Sequence, residues 1–259
     1  MSEEGYVIDS DRVMQIGSKS VSPDVRKLHD MDDVVYDREW LKQTDNIDLY
    51  YMYRGVFLSK KDEDRMKEHH LRYDVTVIPP GNLGIEYVKT AGHYHPSLPN
   101  SELTYGETYE VLEGTAHYLL QNDEGGKVTD VILVEAKAGD KVIIPPNYGH
   151  ITINPSNKSI MMTNWVSSVF SSVYDQIKEN KGAAYLETTD GEFIKNDNYD
   201  DLPEIRFLKP TTQIDVGSKV GLTKNKEMYG LIREDPDLLK YLNEPGEFGW
   251  LFDEILGTK

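Results

Sequence analysis

A chain of 259 residues is long enough to bury one sizeable core plus an extension or a small second domain. Its 28 basic and 45 acidic residues leave a net charge of −17, which excludes binding along a long nucleic-acid footprint and obliges any anionic substrate to find a local cluster of donors. No cysteine is present, so disulfide and thiolate chemistry are excluded, and no window approaches the roughly 18 apolar residues of a membrane span. The opening Met1 to Gly5 has neither a basic region nor an apolar run, so the expectation is a cytoplasmic protein without a leader.

Residues 1–45 are polar and mixed and read as an N-terminal arm. Within it, Val25, Leu28 and Met31 recur every three residues after Pro23, a spacing that predicts one or two helical turns over Asp24 to Met31. A barrel domain is expected over 46–209. Its first strands are Asp48–Tyr53 and Arg72–Ile78, separated by the charged run Ser59–His70. That run reads as a solvated loop or helix, with His69 and His70 an exposed pair rather than ligands. Pro79 to Gly84 makes a turn, and Glu86 to Thr90 leads into Gly92-His93-Tyr94-His95. Further strands are expected at Tyr109–Gln121 with a bend at Gly114, then at Val128–Glu135 after a turn at Asn122–Gly126. Lys141–Ile144, Ile151–Asn154 and Ser159–Val166 follow, and a last hairpin spans Ala183–Ile194. So many short strands, punctuated by Gly and Pro, predict an all-β sandwich or small barrel. Residues 210–259 form a C-terminal extension. Its apolar groups, Leu238 to Leu242 and Trp250 to Leu256, predict two short helices docked on the barrel or on a neighbouring subunit. Strand edges of such a fold are often covered by dimerisation, which favours a homodimer.

On an extended chain His93 and His95 leave the same face, and Glu107 and Tyr109 repeat that geometry on the next strand. His150 follows the strand Lys141–Ile144 and the Pro145-Pro146 break. Three imidazoles and one carboxylate from neighbouring strands make a ligand set for a divalent transition metal, with positions left open for water or substrate. Glu107 is preferred to Glu102 because it sits in the strand pattern Glu-x-Tyr-x-Val-Leu-x-Gly, whereas Glu102 lies in a loop beside Pro99 and Asn100. Glu110 falls at the opposite pleat phase and Glu113 lies beyond the site. Iron(II), manganese(II), nickel(II) and zinc(II) all accept three nitrogens and one oxygen.

The order Gly92, His93-x-His95, Glu107 with Gly114 seven residues on, Gly139-x5-Pro145 and His150-x3-Asn154 resembles the two motifs of the cupins. Thr90-Ala91-Gly92-His93-Tyr94-His95, Glu107-Thr108-Tyr109 and the Pro145-to-His150 piece resemble the metal-dependent glucose-6-phosphate isomerases of that superfamily, from roughly Asp24 to Tyr174 and more weakly to Lys209. The resemblance implies a double-stranded β-helix, or jelly-roll barrel, with an N-terminal arm and a C-terminal helical extension. It implies iron(II) or manganese(II), and a sugar phosphate substrate passing between glucose 6-phosphate and fructose 6-phosphate. It further implies a phosphate pocket of Tyr50, Thr76, Thr90 and Gly92, with Tyr174 retained among the substrate contacts. Glu107 would be the base and Tyr109 a partner for a sugar oxygen; direct hydride transfer is the alternative route. Two departures stand out. Asn164-Trp165-Val166 occupies the place of a family Tyr, and Ser171-Ser172 the place of a His before Tyr174, so the sugar-end contacts are open. The rival readings are an isomerase of another sugar phosphate such as mannose 6-phosphate, an iron(II) dioxygenase, and a non-catalytic sugar-binding cupin.

Overall fold

A computed structural model describes residues 7–16 and 19–258; the opening Met1 to Gly5 lies outside them. The arm supplies β1 (Val7–Ile8), β2 (Met14–Ile16) and β3 (Lys19–Val21), a small sheet of their own, and then β4 (Asp24–Lys27). Helix α1 (Arg38–Gln43), β5 (Asp48–Tyr53), helix α2 (Lys60–Glu68) and β6 (Leu71–Ile78) follow, with a short hairpin of β7 (Asn82–Leu83) and β8 (Glu86–Tyr87). The long strands come next: β9 (Glu107–Glu113), β10 (Thr115–Glu124), β11 (Lys127–Lys137), β12 (Lys141–Ile144), β13 (Tyr148–Ile153) and β14 (Ile160–Ser167). Helix α3 (Asp175–Glu179), the hairpin β15 (Tyr185–Glu187) and β16 (Phe193–Lys195), and β17 (Arg206–Leu208) lead to a tail containing α4 (Asp215–Lys219), α5 (Leu231–Glu234) and α6 (Gly249–Leu256).

The architecture is the expected all-β one. A six-stranded sheet, ordered β12-β9-β14-β6-β5-β4, and a four-stranded sheet, ordered β13-β10-β11-β17, enclose a core that includes Tyr109, Val111, Tyr118, Leu120, Ile132 and Ile144. A second core lies on the outer face of the larger sheet. There Tyr53, Tyr73, Ile143 and Trp165 pack with Tyr229, Tyr241, Leu242 and Phe252 of the tail. Strands β6 and β14 are buried on both faces, by the barrel interior on one side and the second core on the other. The period-2 pleat still separates their side chains: Trp165 faces the tail while Asn164 and Val166 face the barrel interior.

Three expectations are corrected. Asp24–Lys27 is a strand, and only Leu28–Met31 forms a turn of 3₁₀ helix. The open edge of β5 offers backbone partners to this segment, with Asp24 opposite Met52 and Arg26 opposite Tyr50, and that ladder wins over a weak helical pattern. The run after Ser59 is a capped helix, and it is not wholly solvated: Asp62 is buried, accepting hydrogen bonds from Arg233 and Tyr229. His150 lies inside β13, which starts at Tyr148 directly after the turn at Asn147. The tail docks on this chain's own barrel, its first stretch in 3₁₀ turns at Pro236–Leu242 and Pro245–Phe248 and its second in α6.

Trp165 is fully buried and its indole N–H donates to the Met228 carbonyl at 3.0 Å. Trp165→Ala should cost about 3–5 kcal/mol by thermal or denaturant unfolding. Phe207→Ala, at a side chain 69% exposed, should change stability by no more than about 0.5 kcal/mol.

Candidate metal centre and its cavity

His93 and His150 face each other across an antiparallel bridge, each donating its N–H to the other's carbonyl, at 3.2 and 3.0 Å. The His-x-His stretch makes single bridges rather than a continuous strand, yet its extended backbone keeps the alternation. The rings of His93 and His95 lie 5.2 Å apart, while Tyr94 between them points away and accepts from Gln121. Glu107 enters from the first residue of β9. Its Oε2 lies 3.1 Å from His150 Nε2, 3.2 Å from His95 Nε2 and 3.8 Å from His93 Nε2. The four donor atoms lie within 4.8 Å of one another. Two ligands about 2.1 Å from one ion sit about 3.0–3.4 Å apart at the usual angles; the His150 and His95 separations fall in that range and the His93 separation lies a little beyond it.

The surrounding hydrogen bonds point the donors inward. His95 Nδ1 donates to the Tyr105 carbonyl at 2.9 Å, which leaves the Nε2 lone pair facing Glu107. Asn164 Nδ2 donates to Glu107 Oε1 at 2.7 Å, so Oε2 alone faces the imidazoles. Glu107 Oε2 and His95 Nε2 are both buried without a hydrogen bond, a costly arrangement that a bound cation would relieve. Burial, and then the neighbouring imidazoles, holds His93 well below its ordinary pKa; burial also lowers His150 against the pull of Glu107. Burial pushes Glu107 upward, but its close contacts with His150 and His95 outweigh it and hold the carboxyl well below its usual range. Neutral imidazoles beside an ionised carboxylate are the forms that ligate a metal.

The other carboxylates near in sequence are elsewhere. Glu102 and Glu113 are exposed. Glu110 lies on the opposite face of β9, paired with the buried Lys141 at 2.7 Å and accepting the Met228 N–H at 2.7 Å. His69 and His70, at the end of α2, take no part in the cluster.

A cavity of about 330 Å³ opens beside the quartet. His93, His95, Glu107 and Tyr109 line it together with Tyr50, Thr76, Thr90, Gly92 and Tyr174. His150 stands behind them, with its Nε2 3.1 Å from the Tyr109 hydroxyl. Gly92 is at φ +76°, and a Cβ there would lie 2.4 Å from Ile151, so a glycine is needed for this close approach. Thr90 Oγ1 accepts the Thr152 N–H at 3.0 Å, and the Tyr50 hydroxyl accepts the Ala91 N–H at 3.2 Å. Burial, reinforced by the charge of Glu107, raises the Tyr109 phenol well above its ordinary pKa. Arg54, Arg72, Asp74 and Phe170 also line the cavity, and sequence reasoning named none of them. One signal was available for Asp74: it shares the pleat phase of Thr76 in a strand otherwise rich in apolar and aromatic groups.

A family model described as glucose-6-phosphate isomerase (GPI) matches residues 25–204. A glucose-6-phosphate isomerase of Thermococcus litoralis is 30% identical over 177 residues, 67% of this chain and 85% of that protein. One of Thermococcus gammatolerans is 28% identical over 193 residues, 74% of this chain and 92% of that protein. Among solved structures, an oxalate oxidase in complex with the substrate analogue glycolate superposes with a TM-score of 0.32 and 17% identity, over 40% of this chain and 46% of that chain. This chain therefore spans less than half of the oxidase.

His93→Ala or His150→Ala should abolish stoichiometric binding of a divalent metal, measured by elemental analysis after dialysis, whereas His69→Ala should retain it. The stability carried by neutral His93 and His150 is present above about pH 6.5, where the unfolded chain's imidazoles are also neutral, and is lost as protons bind the unfolded chain at lower pH. The melting temperature of the metal-free protein should accordingly fall from pH 7 to pH 5, with a shallower slope in His93→Ala.

Proposed function

This chain belongs to the cupin-type glucose-6-phosphate isomerase family, and we propose that it interconverts glucose 6-phosphate and fructose 6-phosphate using one divalent ion per subunit, held by His93, His95, Glu107 and His150. The observation that carries the reading is the buried His₃Glu quartet on the wall of a cavity that also presents Tyr50, Thr76, Thr90 and Gly92. Iron(II) or manganese(II) suits a mixed nitrogen and carboxylate set with space beside it for further oxygen ligands. A divalent ion there supplies polarisation of the sugar carbonyl, which acidifies the adjoining C–H.

The phosphate is assigned to Tyr50, Thr76, Thr90 and the backbone at Gly92. Thr90 already accepts a backbone N–H, so its own proton is available to a phosphate oxygen. Arg26 lies close to the Tyr50 and Tyr174 hydroxyls and adds positive potential at this end. Glu107 takes the role of base that carries hydrogen between C2 and C1, and its low basicity is offset by the acidified C–H it must deprotonate. Tyr109, held protonated by its burial, donates to a sugar oxygen. A cytoplasmic location among soluble sugar phosphates, and a homodimer, belong to the same reading. The open outer edge of β4, with Val25 exposed, supports the dimer.

Protein loaded with iron(II) or manganese(II) should convert fructose 6-phosphate in a coupled assay, and EDTA should abolish turnover; oxygen consumption without isomerisation would sink the proposal. Thr90→Val should raise KM about tenfold or more with a smaller change in kcat. Turnover in heavy water should place deuterium at the migrating position. Its complete absence would remove Glu107 from the role of base and leave direct hydride transfer.

A further inference from the structure

Two cross-strand rows of the larger sheet face the cavity next to the quartet. Arg72 pairs with Val166, which pairs with Glu107; in the next row Asp74 pairs with Asn164, which pairs with Tyr109. All six residues line the cavity. The quartet accounts for Glu107 and its partner Asn164, and the proposed chemistry uses Tyr109. The Arg72–Asp74 pair is left without a role.

That pair is built rigidly. Asp74 is buried, and its carboxylate accepts from Arg72 Nε at 2.9 and 3.0 Å, from Arg72 Nη2 at 2.9 Å and from the Gly55 N–H at 2.8 Å. Arg72 Nη1 has no partner among the described residues. Stability does not explain the arrangement, because a buried ion pair is commonly no better than an apolar pair of the same volume. Charge balance decides what it suits. Arg54, the other cation on this wall, donates to Asp24 at 3.0 Å and stands 3.8 Å from Asp74. Two guanidiniums against two carboxylates leave this end close to neutral, a poor site for a dianion and a good one for hydroxyl groups that need an oriented, charged donor. Val166, between Arg72 and Glu107 in the row, offers no polar atom of its own.

Resting on the isomerase reading, we infer that Arg72 is the residue that recognises the hydroxyls of the open-chain sugar, with Asp74 positioning it, while the phosphate lies at the Thr90 end. Arg72 is thus a specificity-determining contact for a neutral polyol chain carrying a terminal phosphate. It selects the sugar portion and has little part in holding the phosphate.

The test is calorimetric binding to the full metal-loaded chain of two probes: glucitol 6-phosphate, which carries the hydroxyls and the phosphate but no carbonyl, and inorganic phosphate. Arg72→Met should weaken glucitol 6-phosphate about tenfold or more and leave inorganic phosphate within about twofold. Arg72→Lys, which keeps the charge but loses the planar fork, should lose most of the same affinity; it decides the matter if the methionine variant fails to fold. Metal content should be unchanged in both. Equal weakening of both probes would move Arg72 to the phosphate end and overturn the inference, as would unaltered glucitol 6-phosphate binding in both variants. If the wild-type chain turns over no fructose 6-phosphate yet the binding pattern holds, the isomerase reading fails and this assignment stands. A wild-type chain that binds no glucitol 6-phosphate sinks both.

Discussion

The pleat of β9 is the constraint on which the rest of the site depends. Glu107 and Tyr109 face the barrel interior, while Thr108 and Glu110 face outward. Because the side-chain period along a strand is two, a slip of one residue would exchange the carboxylate that faces the imidazoles for a threonine. The register is held from both sides. Inside, Glu107 is fixed by Asn164 and by the imidazoles. Outside, the Thr108 hydroxyl meets the Tyr241 hydroxyl at 2.6 Å, and Glu110 is bound by Lys141 and the Met228 N–H. Each outward bond makes the wrong register costly, since it would leave a buried polar group unpaired.

This gives the C-terminal extension a physical purpose. The family match ends at residue 204, yet the tail beyond it packs on the outer face of the site-bearing sheet, sharing that core with Met14 and Ile16 of the arm and Met66 of α2. Met228 alone is tied to both strands that frame the carboxylate, through Glu110 on β9 and Trp165 on β14. None of the residues lining the cavity comes from the tail. It acts by burying aromatic surface and satisfying polar groups, and so stiffens strands whose other face carries the chemistry.

Electrostatics divide the cavity in the same spatial manner. A net charge of −17 disfavours any anion at long range, so recognition of a phosphate has to be local. The Tyr50 and Thr90 end supplies hydroxyls, with the Arg26 guanidinium close to Tyr50, whereas at the other end Arg72 is paired with Asp74 and Arg54 with Asp24. In the quartet, burial lowers His93 and His150 and keeps them neutral, while Glu107 stays charged.

The clustering of His93, His95, Glu107 and His150, and most of the long barrel strands, were legible in the amino-acid order, because strand periodicity is local. His93 and His95 two apart, or Glu107 against Glu110, can be sorted by phase alone. What only the tertiary structure decided depends on long-range pairing. Arg54 directly follows β5, Arg72 and Asp74 lie on β6 and Asn164 on β14, and they meet because β6 lies between β14 and β5. Asp24–Lys27 became a strand for the same reason: its hydrogen-bonding partner, β5, is more than twenty residues away. Local preference carries no record of which edge will be free or which wall will face which, and those choices are made only when the sheet closes around its core.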